Sequence, residues 1–117
     1  MKFTSIISAV AVLTISGICF AGAIGGPKGS RDVVLPYATD FYDVPFYGNS
    51  RAHVEVKGDG STDLDCVVID NNGNRVARDM DSTDYCILDW VPRWNGMFRI
   101  LITNQGGESN VYGVITN

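Results

Sequence analysis

Two groups of residues in this 117-residue chain have types and spacing suited to chemistry. The first is acidic. Asp59, Asp63 and Asp65 lead into one apolar run, and Asp79, Asp81 and Asp84 lie between two others. If the strands they flank are neighbours, the two loops converge and Asp59, Asp63, Asp65, Asp81 and Asp84 become candidate ligands for calcium, a hard cation that takes about six to eight oxygens. The competing role is structural, because Asp favours turns by hydrogen-bonding its own backbone and blunts sheet edges. The spacing Asp59-x-x-x-Asp63-x-Asp65 is not that of an EF-hand loop. The second group is Trp90, Arg93 and Trp94 around Val91 and Pro92. It reads as a candidate aromatic platform of the kind that grips sugar rings, against the alternative that the tryptophans pack over Cys66 and Cys86 in a sandwich core.

Catalytic chemistry finds little support. His53 is the only histidine, set between Ala52 and Val54 as an exposed or rim residue, and no GxSxG, HExxH or glycine-rich phosphate loop is present. The aspartates sit in solvated turns and not in an apolar cleft that would raise a carboxyl pKa for glycoside hydrolysis. The expectation is a non-enzyme that needs no cofactor other than calcium. An acidic balance, net −4, argues against nucleic acid as a partner.

The N-terminus has the order of an export signal: Met1-Lys2, an apolar stretch from Ile6 to Ile18, and small residues at Ala21 and Ala23. Residues 1–21 are expected to be removed and the remainder to be secreted, extracellular or periplasmic, with no membrane insertion. Cys19 leaves with the signal, so Cys66 and Cys86 remain as a pair in an oxidising compartment and are expected to form a disulfide.

These residues must be positioned by strands. Gly22–Ser30 is rich in Gly and reads as a flexible linker, followed by a domain over residues 31–117. From Arg31 onward short apolar runs alternate with turn residues, and no 3.6-residue period is sustained. The expected strands are Val33–Tyr37, Asp40–Tyr47, Arg51–Lys57, Leu64–Asp70, Arg75–Asp79, Asp84–Trp90, Met97–Thr103 and Val111–Thr116. Tyr42, Val44 and Phe46 share one face of their strand, as do Ala52, Val54 and Val56 on theirs and Phe98, Ile100 and Ile102 on a third. Leu64–Ile69 is apolar on both faces toward its end, as befits a central strand. Asp70-Asn71-Asn72-Gly73-Asn74 predicts a tight hairpin. The fold class is all-β: a two-sheet antiparallel sandwich, jelly-roll-like, of about eight strands.

Several of these stretches together resemble the bacterial pre-peptidase C-terminal domain. They are Asp40-Phe41-Tyr42 with Val44 and Phe46, Gly58 to Asp65, Asp70 to Asn74, Asp81 to Cys86, Pro92 to Ile100, and Asn104 with Tyr112. The match spans about residues 38–117. The resemblance implies a β-sandwich that accompanies secreted proteases as a non-catalytic module, with relatives that bind collagen, polysaccharide or calcium. It also suggests a disulfide-bearing subgroup, because Cys66 and Cys86 fall in matching strands. The function expected is a secreted module that binds an extracellular polymer, surface or protein partner with calcium assistance. The alternative, by analogy, is an inhibitor or chaperone of a co-exported protease.

Overall fold

A computed structural model describes residues 21–117, so the export signal expected over residues 1–21 lies, but for Ala21, outside the described residues. Eight strands follow: β1 (Gly29–Val34), β2 (Thr39–Phe46), β3 (Ala52–Lys57), β4 (Leu64–Ile69), β5 (Arg75–Asp79), β6 (Tyr85–Trp90), β7 (Gly96–Asn104) and β8 (Asn110–Thr116). They form two four-stranded sheets, ordered β1-β8-β3-β6 and β2-β7-β4-β5, with every pairing antiparallel. Every connection except the β4–β5 hairpin crosses from one sheet to the other, which makes the sandwich a jelly roll.

Period-2 alternation explains the core. Tyr42, Val44 and Phe46 of β2, Leu64, Cys66 and Val68 of β4, and Ile100 and Ile102 of β7 point inward from one sheet. They meet Val54 and Val56 of β3, Cys86 and Leu88 of β6, and Tyr112 and Val114 of β8 from the other. Burying such side chains supplies the main driving force for the fold, about 1.5–3 kcal/mol each. Cys66 and Cys86 are joined, with Cα atoms 6.3 Å apart, and tie β4 of one sheet to β6 of the other. Tyr42 and Tyr112 also meet across the sheets, their hydroxyls 2.5 Å apart, and the Tyr112 hydroxyl donates to Asp40 at 2.6 Å. β4 is interior to its sheet, between β7 and β5, as its two-sided apolarity predicts.

The Gly22–Ser30 stretch is not a free linker. Ala23 is buried, its N–H donates to the Asn117 carbonyl, and the N–H of Ile24 donates to Pro45. The Tyr47 N–H in turn donates to the Gly22 carbonyl, and Ala23 bridges to Phe46. β1 begins at Gly29, paired with Ile115, four residues earlier than the apolar run at Val33 suggests. The glycine-rich composition concealed this because the attachment runs through backbone groups and one small side chain.

The topology divides the loops between two ends. Loops β2–β3, β4–β5 and β6–β7, with the N-terminal segment, lie at one end; loops β1–β2, β3–β4, β5–β6 and β7–β8 lie at the other, one strand length or roughly 20 Å away.

Candidate functional site

The acidic residues occupy the second end. Asp59 accepts hydrogen bonds from the Ser61 N–H at 2.9 Å and the Val111 N–H at 3.0 Å. Asp81 takes the N–H and hydroxyl of Thr83 at 2.9 and 2.8 Å. Asp84 takes the Gly60 N–H at 2.6 Å and the Asn110 amide at 3.1 Å. Gly58 permits this convergence, since a Cβ there would collide with the Asp84 carboxylate and the Asn110 amide oxygen. Bonds to Ser61 and Val111 lower the Asp59 pKa, and bonds to Thr83 lower that of Asp81.

Asp63 and Asp65 differ. Each has an Oδ1 atom that is buried and has no hydrogen-bond partner. Burial raises the pKa of both, and Asp65, Asp81 and Asp84 add their repulsion at Asp63. The two loops therefore do converge, as expected, but Asp59 turns to the β8 backbone. Among the described residues no group of three or more His, Cys, Asp or Glu side chains is disposed to hold a metal ion. Of the set Asp59, Asp63, Asp65, Asp81 and Asp84, three spend carboxylate oxygens on loop donors: Asp59, Asp81 and Asp84. Asp59 and Asp81 do so in part through the N–H two residues on, as Asp does in turns.

The tryptophan group occupies the other end, where an open groove of about 520 Å³ is lined by the β4–β5 turn, the end of β6, the β6–β7 loop and the start of β7. Trp90 and Trp94 play different parts. Trp90 is 8% exposed and packs on Phe46 and Phe98 with ring centroids 4.9 and 5.4 Å away, so it belongs to the core and floors the groove. Trp94 is 66% exposed, and Arg93 is exposed beside it.

The loop carrying them is braced. The Asn95 amide oxygen accepts the Gly48 N–H at 2.8 Å, and the Pro92 carbonyl accepts the Asn49 N–H at 2.6 Å. Gly48 is required there, since a Cβ on it would strike the Trp94 backbone. Across the groove the hairpin expected from Asp70-Asn71-Asn72-Gly73-Asn74 is present. Asp70 Oδ1 accepts the N–H groups of Asn72 and Asn74, both at 2.9 Å, and Gly73 has φ of 82°. The Asn74 and Asn72 backbone bonds hold the Asp70 carboxyl below its usual pKa. Asn71 and Asn72 are exposed in the lining, a feature the turn signal masked because Asn is itself a turn former.

Sequence reasoning also missed a network around His53. Its Nε2 lies 2.7 Å from Glu55 and its Nδ1 2.7 Å from Asp89, while Arg51 Nε donates to Asp89 at 2.7 Å and the Tyr85 hydroxyl to Glu55 at 2.7 Å. Its period-2 positions on paired strands β3 and β6 were readable, but their pairing was not. The Glu55 bond, with Asp89 behind it and burial opposing, raises the His53 pKa. At Asp89 burial pushes the carboxyl up, and the bonds to Arg51 and His53 outweigh it and lower it.

No family model and no curated protein matches the chain. Solved structures do. The pre-peptidase C-terminal domain of collagenase from Bacillus anthracis is similar at a TM-score of 0.61 and 11% identity, covering 80% of this chain and 90% of that one. The Yersinia pseudotuberculosis-derived mitogen is similar at 0.58 and 11%, covering 79% and 85%. Aeromonas hydrophila PliG, a periplasmic inhibitor of g-type lysozyme, is similar at 0.58 and 13%, covering 78% and 84%. The chain shares the fold of the pre-peptidase C-terminal domain, as its sequence resemblance anticipates, and at these identities the likeness is one of fold alone.

Proposed function

We propose that the protein is a secreted, non-catalytic binding module whose ligand is an extracellular polysaccharide held in the groove at the Trp94 end. The observation that carries this reading is Trp94 itself. A large aromatic ring left 66% exposed on a doubly braced loop, over a groove floored by Trp90 and Phe98, offers a rigid flat face at little entropic cost on binding. The amides of Asn71, Asn72 and the guanidinium of Arg93 surround it with groups for sugar oxygens. Calcium has no assigned part in this reading. Affinity electrophoresis in gels containing soluble polysaccharides tests it: wild type is retarded by at least one polymer and Trp94→Ala migrates freely, whereas equal migration of the two in every gel refutes the groove.

A second reading, a protein partner, rests on the opposite end. Leu35 and Tyr37 are 61% and 74% exposed, and Tyr37 takes the left-handed conformation at φ of 56°, unusual for a bulky residue. Asn104 pins this tip through the carbonyls of Val34 and Leu35, each at 3.3 Å. An enzyme recovered from culture supernatant on immobilised wild type, and lost with Tyr37→Ser, supports an inhibitor or chaperone role; recovery that survives Tyr37→Ser excludes the tip.

A further inference from the structure

We infer that the groove selects an anionic saccharide, a sugar carrying a carboxylate or sulfate, and that Arg93 is the residue that reads the charge; the inference rests on the reading of the groove as a saccharide site. The reason is the imbalance of charged groups left uncommitted in its lining. Its carboxylates, and the carbonyls that brace the loop, are already engaged. Asp70 Oδ1 takes two backbone N–H groups and its Oδ2 the Asn74 amide at 3.3 Å. Asp89 Oδ1 is held by Arg51 and His53, the Asn95 oxygen by Gly48, and the Pro92 carbonyl by Asn49.

The cation is not engaged. Arg93 is the only cation in the lining, is exposed, and has no partner among the described residues. An uncommitted guanidinium is complemented by an anionic group. A neutral hydroxyl brings a donor with its acceptors, but a carboxylate or sulfate brings acceptors only and matches the guanidinium fork with two parallel bonds. A sugar ring on Trp94 supplies the apolar contact, and its anionic substituent reaches the neighbouring Arg93.

The negative balance of the whole chain does not oppose this. Its acidic loops are at the far end, roughly 20 Å off, beyond the screening length of about 8 Å at physiological salt. Closer in, Asp89 is balanced by Arg51 at 2.7 Å, and Asp70 has both carboxylate oxygens turned to its own hairpin by the N–H groups of Asn72 and Asn74 and the Asn74 amide.

The test titrates the full-chain protein with oligogalacturonate, with the same oligomers carboxyl-reduced to neutral galactan, and with a sulfated form of that galactan. Wild type is expected to bind at least one anionic form about tenfold more tightly than the neutral one, the scale of a charge-assisted bidentate contact. The ratio between the two anionic forms tells carboxylate from sulfate. Arg93→Gln is expected to bring anionic binding down to the neutral level without altering neutral binding, and Arg93→Lys to recover part of it. Trp94→Ala is expected to weaken binding of all three. Equal wild-type affinity for neutral and anionic forms, or a preference that survives Arg93→Gln, overturns the inference while leaving the groove standing if Trp94→Ala still weakens binding. Loss of no binding in Trp94→Ala overturns the groove reading and the inference with it.

Discussion

At the end formed by the β3–β4, β5–β6 and β7–β8 loops, most polar side chains bond the backbone of their own or a neighbouring loop. At the end formed by the β2–β3, β4–β5 and β6–β7 loops, Trp94, Arg93, Asn71 and Asn72 face solvent. The first end is the richer in charge. Asn110 alone accepts the Asp59 N–H at 3.0 Å and donates to the Thr62 carbonyl, the Thr62 hydroxyl and Asp84 at 3.3, 3.1 and 3.1 Å. Asn104 holds the Val34, Leu35 and Glu108 carbonyls and the Gly106 N–H in the same manner. The contrast teaches that a concentration of carboxylates marks where loops are fastened. On the proposed reading, the ligand is met where polar groups have been braced through their backbone and left open at their tips.

The largest effect expected from breaking this contrast is at the disulfide, which joins the third residue of β4 to the second of β6 beneath the fastened end. A loop of this size is worth roughly 3 kcal/mol on the chain-entropy model. The Cys66→Ala, Cys86→Ala double variant is then expected to melt on the order of 15 °C lower, read by circular dichroism. A shift under a few degrees would show that the loop bonds fasten this end without the covalent link.

Next in size is Asn110→Ala, which strands the Asp59 N–H and removes the donor to Asp84 in a fully buried position. The expected loss is about 2 kcal/mol, against under about 0.5 kcal/mol for Asn72→Ala at the groove. Comparable losses at both positions, measured by urea unfolding, would erase the distinction between the ends.

Asp63→Asn sharpens the comparison in the opposite direction. Burial and the neighbouring Asp65, Asp81 and Asp84 raise the Asp63 pKa in the folded state. The fold therefore favours the protonated acid, and the stability this gives is present below the unfolded value of 3.8 and lost as pH rises through the folded one. At pH 7 the ionised group opposes folding, so Asp63→Asn is expected to raise the melting temperature by a few degrees, roughly 0.5 kcal/mol, and the gain should vanish below pH 4. A lower melting temperature for Asp63→Asn at pH 7 would give this carboxylate a bonding role.

The smallest effect expected is that of divalent ions. With no group of three or more candidate ligands among the described residues, melts in EDTA, calcium and magnesium at matched ionic strength should coincide within about 1 °C. A rise specific to calcium, abolished by Asp63→Asn, would restore a metal role to the acidic loops.

The alternation of Tyr42, Val44 and Phe46, of Ala52, Val54 and Val56, and of Phe98, Ile100 and Ile102 was enough, by itself, to assign strands and inward faces, because a strand buried on one side must repeat every second residue. The Asp70–Asn74 hairpin was equally legible, since its turn chemistry is local. So was the pairing of Cys66 with Cys86, which the reading of residues 1–21 as an export signal implies and the structure contains. What alternation does not carry is the identity of the partner strand. The order β1-β8-β3-β6, the meeting of His53 with Asp89 across β3 and β6, and the attachment of Gly22–Gly26 to Pro45 and Asn117 were decided by how the two sheets close over one core. Tertiary structure also decided the fates of Trp90 and Trp94. Four residues apart in sequence, they differ because one ends a strand whose alternate positions point inward, and the other sits on a loop that Gly48 and Asn49 brace at the rim.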